Sequence, residues 1–132
     1  MSRGSGGGTV TCSVVARVAV HTSEAVRARR LRVYCNGGDA ARLARAAPRR
    51  LAGELALKRA AIQAFRRFAP GRTFRERDFH IGRFRNGAPV LRGFPAIRNP
   101  SRRRIREALR VSLSYTADHA YAMVVYPEEL GG

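Results

Sequence analysis

The stretch "PRRLAGELALKRAAIQAFRRF", residues 48–68, decides the fold. Proline suits the first turn of a helix, where its missing N–H costs nothing, so a long central helix is predicted over Pro48 to Phe68. At about 100° per residue, Leu51, Leu55, Ile62, Phe65 and Ala69 fall on one line, and Leu57, Ala61 and Phe68 widen that stripe. Ala52, Ala56, Ala60 and Ala64 occupy the opposite face and permit close approach by another element. Lys58 falls in the middle of the apolar stripe and Glu54 inside its edge. They stand four apart with glutamate first, the favourable order for an ion pair, so the simplest expectation is that they satisfy each other. A buried pair is weak evidence for stability, which leaves a role in a site open. Arg59, Gln63 and Arg66 run along the flank.

Around this helix the pattern is mixed. "TVTCSVVARVAV" is rich in β-branched residues and reads as a strand over Thr9 to Val20. "HTSEAVRARRLRVY" offers Thr22 or Ser23 as an N-cap for a short helix. After the turn "NGGD", Asp39 is positioned to cap the helix "AARLARAA". "FHIGRFRNGAPVLRG" reads as a hairpin with Asn86-Gly87 as its turn signal. "NPSRRRIREAL" leads into a basic helical turn, and "RVSLSYTADHAYAMVVY" reads as two strands about a tight turn near Ala117 and Asp118. This order predicts an α+β fold, a small antiparallel sheet packed on the long helix. Residues 1–8, "MSRGSGGG", are expected to be flexible, residues 9–127 to form a single domain, and residues 128–132 to be a tail. No repeat at solenoid spacing interrupts this reading.

The chain has 132 residues, enough for one modest core, and 45% of them are hydrophobic, which argues against disorder throughout. Lysine and arginine number 26 against 9 acids, a formal charge of +17. Such a surface suits an acidic partner: nucleic acid, a phosphorylated ligand or an acidic protein. No recognition-helix signature and no aromatic stacking platform is present, so nucleic acid is not the expected partner. Cys12 and Cys35 make neither a zinc pattern nor a disulfide framework. With no signal peptide and no apolar stretch of membrane-spanning length, a reduced cytoplasmic setting is expected.

Three separated stretches resemble one family. "RRLAGELALKRAAIQAF" resembles the helix of the holo-acyl-carrier-protein synthases, "FHIGRFRNGAPVLRG" their hairpin, and "RVSLSYTADHAYAMVVY" their closing strands. "TVTCSVVARVAV" sits where that family has its opening strand. The resemblance implies the small phosphopantetheinyl transferase fold, commonly a trimer with sites between subunits. It further implies transfer of 4′-phosphopantetheine from coenzyme A to a serine of an acyl carrier protein, with magnesium. Several family positions are substituted. The metal-binding aspartate falls near Val15 and the metal-binding glutamate at Arg59. The family's following lysine falls at Gln63, its histidine at Tyr115, and its arginine at Glu54. Magnesium takes oxygen ligands, which valine and arginine do not supply, so no magnesium and no obligate cofactor is expected. Arg59 is instead able to grip a phosphate by itself. Lys58, Asn86, Gly87, Pro89, Ser114 and Thr116 keep family positions. With Arg59 and Gln63 they form the candidate ligand-binding set, for coenzyme A or a phosphopantetheine arm.

His119, Tyr115, His80 and Glu54 are the candidate catalytic residues. The imidazoles are the acid–base groups, with Tyr115 or Glu54 expected beside His119. The reading that follows is a diverged transferase-like protein acting on an acidic acyl carrier protein or its acyl chain, in polyketide or fatty-acid assembly. Dehydration, isomerisation or cyclisation would be its chemistry. An active synthase, a carrier-binding scaffold and a basic nucleic-acid binder are the alternatives. Arg27 to Arg32, Arg49-Arg50, Arg66-Arg67 and Arg102 to Arg106 are the candidate docking segments for an acidic carrier.

Overall fold

The structure is a computed structural model and describes residues 10–131. The expected flexible segment, residues 1–8, lies outside them. The elements run β1 (Thr11–Ala19), α1 (Glu24–Tyr34), α2 (Gly37–Ala44), α3 (Pro48–Phe68), β2 (His80–Arg83), β3 (Pro89–Gly93), α4 (Arg102–Ala108), β4 (Arg110–Tyr115) and β5 (His119–Pro127). Short 3-10 turns lie at Glu76–Asp78 and Glu128–Leu130, and Leu130 in the latter, within the expected tail, is buried in the core.

The long helix spans Pro48–Phe68 as predicted, with proline in its first turn. It is buried nearly all round: every residue from Leu51 to Lys58 is buried, and only Gln63, Arg66 and Arg67 in its later turns are exposed. Its alanine face lies under a three-stranded antiparallel sheet of order β1-β5-β4. The sheet answers with Ala120, Ala122 and Val124 on the inner face of β5 and Val14, Ala16 and Val18 on that of β1. Small residues on both sides let helix and sheet backbones approach closely.

The other face of α3 carries Phe65, whose ring meets those of Phe68, Phe74, Phe79 and Phe94 at centroid distances of 5.1 to 5.6 Å. Tilted and edge-on pairs of this kind contribute roughly 0.5–1.5 kcal/mol each beyond the area they bury. Phe79 precedes β2 and Phe94 follows β3, so this cluster fixes the β2–β3 hairpin against the helix. The hairpin forms a second sheet; β3 runs beside β4 without joining its ladder.

Two local expectations need correction. Asn36, not Asp39, caps α2: its side chain accepts from the N–H of Asp39. With the cap filled by a neutral amide, the Asp39 carboxylate turns inward. The hairpin loop is also wider than a two-residue turn. The Gly87 N–H donates to Phe84 O and the Phe84 N–H to Ala88 O, with Gly87 alone at positive φ, +89°. This is the three-residue loop that needs glycine only at its last position. Ser23 caps α1, accepting from the Val26 N–H.

Candidate functional site

Four charged side chains and one histidine meet where α2 crosses α3 beneath the hairpin. Asp39, Glu54 and Lys58 are each only 1% exposed. Lys58, the sole lysine of the chain, does not pair with Glu54 as expected. Its Nζ donates to Asp39 Oδ2 and to the Tyr34 carbonyl, both at 3.3 Å. Glu54 is held by Arg42, whose two terminal nitrogens donate to its two oxygens at 2.9 Å each, with Arg50 at 3.8 Å. Arg42 also reaches Asp39 Oδ1 at 3.3 Å. One helical turn on α3 separates Glu54 from Lys58, but α2 supplies a separate opposite charge to each. The two buried carboxylates are balanced by Lys58 within the core and by the partly exposed Arg42 at its edge.

His80, at the start of β2, completes the group: its Nδ1 lies 2.9 Å from Asp39 Oδ1. A carboxylate accepts, so the ring proton sits on Nδ1 and Nε2 is left as the basic nitrogen. The imidazole is 45% exposed while its carboxylate partner is buried. Burial alone would raise Asp39, and it is the largest single influence. Lys58, His80 and Arg42 together outweigh it and hold the carboxyl below the ordinary aspartate value. Arg42 is pushed above the usual arginine value, chiefly by its hydrogen bonds to Glu54. Nearby Cys35 is buried, and that burial raises its thiol despite Lys58, which makes it a poor nucleophile.

Beside this network the hairpin tip faces the start of α3 across an open depression of about 540 Å³. Ala47, Arg49, Arg50, Arg83, Gly87 and Tyr115 line it. The Arg49 guanidinium lies 4.5 Å from the Tyr115 ring centroid. Tyr115 itself rests on Gly53, where a methyl group would collide with its hydroxyl. Asn86 shapes the tip by accepting from the Ala88 N–H. Thr116 accepts from the N–H groups of Asp118 and His119 and so builds the β4–β5 turn, while Ser114 points outward from the sheet.

The candidates therefore divide. His80, Glu54 and Lys58 converge through Asp39 and Arg42; Gly87 and Tyr115 share the depression. His119 does not join them. Tyr115 pairs with Ala120, so it faces the helix, whereas His119, one residue earlier on β5, faces outward near Tyr121. Neither Tyr115 nor Glu54 stands beside it as expected. Glu54, clamped by Arg42, is no free base. Asp39, Arg42 and Arg83 were not singled out as site residues in the sequence. The available signal was Asp39 itself, an acid three residues before an arginine in a chain with few acids.

A search of solved structures found the same architecture. The Helicobacter pylori holo-[acyl-carrier-protein] synthase, in complex with coenzyme A, matches with a TM-score of 0.60 at 18% identity, covering 86% of this chain and 97% of that one. The Bacillus anthracis holo-(acyl-carrier-protein) synthase matches with a TM-score of 0.64 at 16% identity, covering 87% and 94%. This chain has the holo-acyl-carrier-protein synthase fold. The Mycobacterium tuberculosis acyl carrier protein synthase agrees, with a TM-score of 0.58 at 25% identity over 89% of this chain and 96% of that one. A scan against protein-family models and a search of curated proteins found no match.

The positions that the resemblance sets against a magnesium site, Val15 and Arg59, lie on β1 and α3. The Gln63 amide donates to the Val15 carbonyl at 3.3 Å, one turn along α3 from Arg59. Val15 is an exposed apolar side chain, and Arg59 donates to Glu76 at 3.4 Å while lying over the Tyr34 ring. This donor set does not fit a magnesium ion, which takes several oxygen ligands in near-octahedral geometry. Among the described residues, no three His, Cys, Asp or Glu side chains gather to hold a metal ion.

Proposed function

We propose that the protein acts on the pantetheine arm of an acidic acyl carrier protein, or on the acyl chain that arm bears, in fatty-acid or polyketide assembly. It does so by proton transfer instead of magnesium-dependent transfer of the arm. The observation that carries this reading is His80 held by buried Asp39, with Nε2 as the free basic nitrogen. A thioester acidifies the C–H of its α-carbon, and His80 removes that proton and returns it. In isomerisation of a β,γ-enoyl chain it goes to the γ-carbon; in dehydration of a β-hydroxyacyl chain it goes to the hydroxyl, which leaves as water as the β C–O bond breaks. Lys58 and Arg42 act as positioning residues that keep Asp39 ionised, and Glu54 acts through Arg42, which it holds with two hydrogen bonds. Arg49, Arg50 and Arg83 around the depression receive the phosphate of the arm, and the exposed arginines of α1 and α4 attract the acidic carrier. The outer face of the β1-β5-β4 sheet joins copies of the chain into a trimer.

Incubating the protein with a panel of acyl-carrier thioesters and following each by mass spectrometry tests the chemistry. Turnover of at least one thioester is expected, lost in His80→Ala. No change in any thioester, with carrier binding intact, would sink proton transfer and leave a scaffold. A second reading, an active synthase, is favoured by a match spanning nearly the whole length of the solved synthases. Incubation with apo carrier protein and coenzyme A separates the two, since a mass gain of one phosphopantetheine arm would establish the synthase.

A further inference from the structure

A groove of about 850 Å³ runs between β3, α4 and β4, and it shares no lining residue with the arginine depression. Its floor is Val90, Leu91, Phe94, Ile105, Leu109 and Val111, with the Phe84 ring 57% exposed at its mouth. That floor offers no side-chain donor or acceptor. The rim is different: Arg92, Arg106 and Arg110 stand around it. Among the described residues, none of the three pairs with a carboxylate. Arg106 lies over the Phe94 ring at 5.6 Å, Arg92 donates to the Arg83 carbonyl, and Arg110 donates to the Glu107 and Leu109 carbonyls. Glu107, the one acid of the rim, is already committed to Arg103 at 3.2 Å. The size lies within the range of small-molecule sites.

We infer that this groove binds a single alkyl chain bearing an anionic head, a fatty-acid carboxylate, with the tail on the apolar floor and the head at the unpaired rim arginines. A featureless floor selects for bulk apolar contact. Three cations without counter-charges supply the complement for one carboxylate, which arginine binds through paired N–H groups. The groove shares no residue with the His80 network, and of the α4 arginines assigned to the carrier only Arg106 lines it, so a fatty acid titrated without carrier tests the groove apart from the proposed function.

Isothermal titration of the full chain with octanoate, dodecanoate and dodecanol tests it. Dodecanoate is expected to bind more tightly than octanoate, by up to about fourfold per added methylene. Dodecanol is expected to bind more weakly, by about tenfold, for want of the charged head. Val90→Trp fills the groove and should abolish binding. The exposed pair Arg106→Glu with Arg110→Glu leaves the floor intact and should weaken dodecanoate by at least about tenfold while sparing dodecanol. Failure of wild type to bind dodecanoate, unchanged binding in Val90→Trp, or equal affinity for dodecanol would each overturn the inference. Self-association abolished by Val90→Trp would make the occupant a second copy of the chain, and would overturn it too.

Discussion

Asp39 takes a hydrogen bond or ion pair from each of Lys58, Arg42 and His80. Removing one partner of a buried ion pair strands the other, at a cost of about 3–5 kcal/mol. Asp39→Asn should therefore destabilise the protein by about that amount at neutral pH, measured by urea denaturation. The double variant Asp39→Asn, Lys58→Met should cost less than the two single changes summed. The acid limb gives a sharper test. Because the folded carboxyl sits below its ordinary value, its stabilisation is fully present above about pH 4 and is lost as pH falls through the lower folded value. Wild-type stability should decline over that acidic range and Asp39→Asn should decline less; parallel curves would show that Asp39 is not the buried anion described. The buried charges Glu54 and Lys58 were legible in the sequence as anomalies in an apolar stripe. Their partners were not. The spacing rule that pairs residues four apart describes exposed helix faces, whereas in a core the partner is whatever docks against each position. Here α2 docks, and its contribution was hidden because Asp39 follows two glycines and reads as a cap. Asn36 three residues earlier fills that role.

The elements were more legible than the contacts between them. Proline at the start of α3, Ser23 before α1 and glycine at the hairpin tip each carry their own local physics, and each boundary follows. Gly53 was opaque. Inside a helix a glycine normally costs about 1 kcal/mol relative to alanine, so the sequence alone invites replacement. The structure reverses that advice, because a methyl group there would meet the Tyr115 hydroxyl and ring. Overpacking costs typically 1–3 kcal/mol and exceeds the gain in propensity. Gly53→Ala is expected to lower stability by about 1 kcal/mol on balance. In a Tyr115→Ala background, where the obstacle is gone, the same change should raise it by up to about 1 kcal/mol. Thermal or chemical denaturation of the four proteins in this cycle reads the sign, and a destabilising effect in both backgrounds would contradict the packing account. The hairpin tip follows the ordinary glycine rule: Gly87→Ala places a side chain at φ +89° and should cost about 1–2 kcal/mol.

At the scale of the molecule, the formal charge of +17 reads in sequence as a uniform attraction for acids. The structure divides it. Arg27 donates to the Leu43, Ala44 and Ala46 carbonyls at the end of α2, Arg30 to Ala19, Arg72 to Ala96 and Arg102 to Phe94. These guanidiniums tie helix ends and loops together, and composition cannot distinguish them from the arginines left free for a partner. The outer sheet face is likewise invisible to charge counting. There Val15 stands opposite Met123 across the β1–β5 ladder, 55% and 38% exposed, with Tyr121 two residues along β5. Apolar side chains in register on the central and edge strands of a sheet suit burial against another copy, which is the trimer face proposed above. Val15→Glu with Met123→Glu places two carboxylates opposite each other on that face. Like charges repel across the ladder, and neither can be buried without a counter-charge. Light scattering after size exclusion should give a trimer for wild type and a monomer for the variant. Far-ultraviolet circular dichroism should stay unchanged, because both side chains point away from α3. A wild-type monomer at high concentration, or a variant that still assembles, would remove this face from the interface.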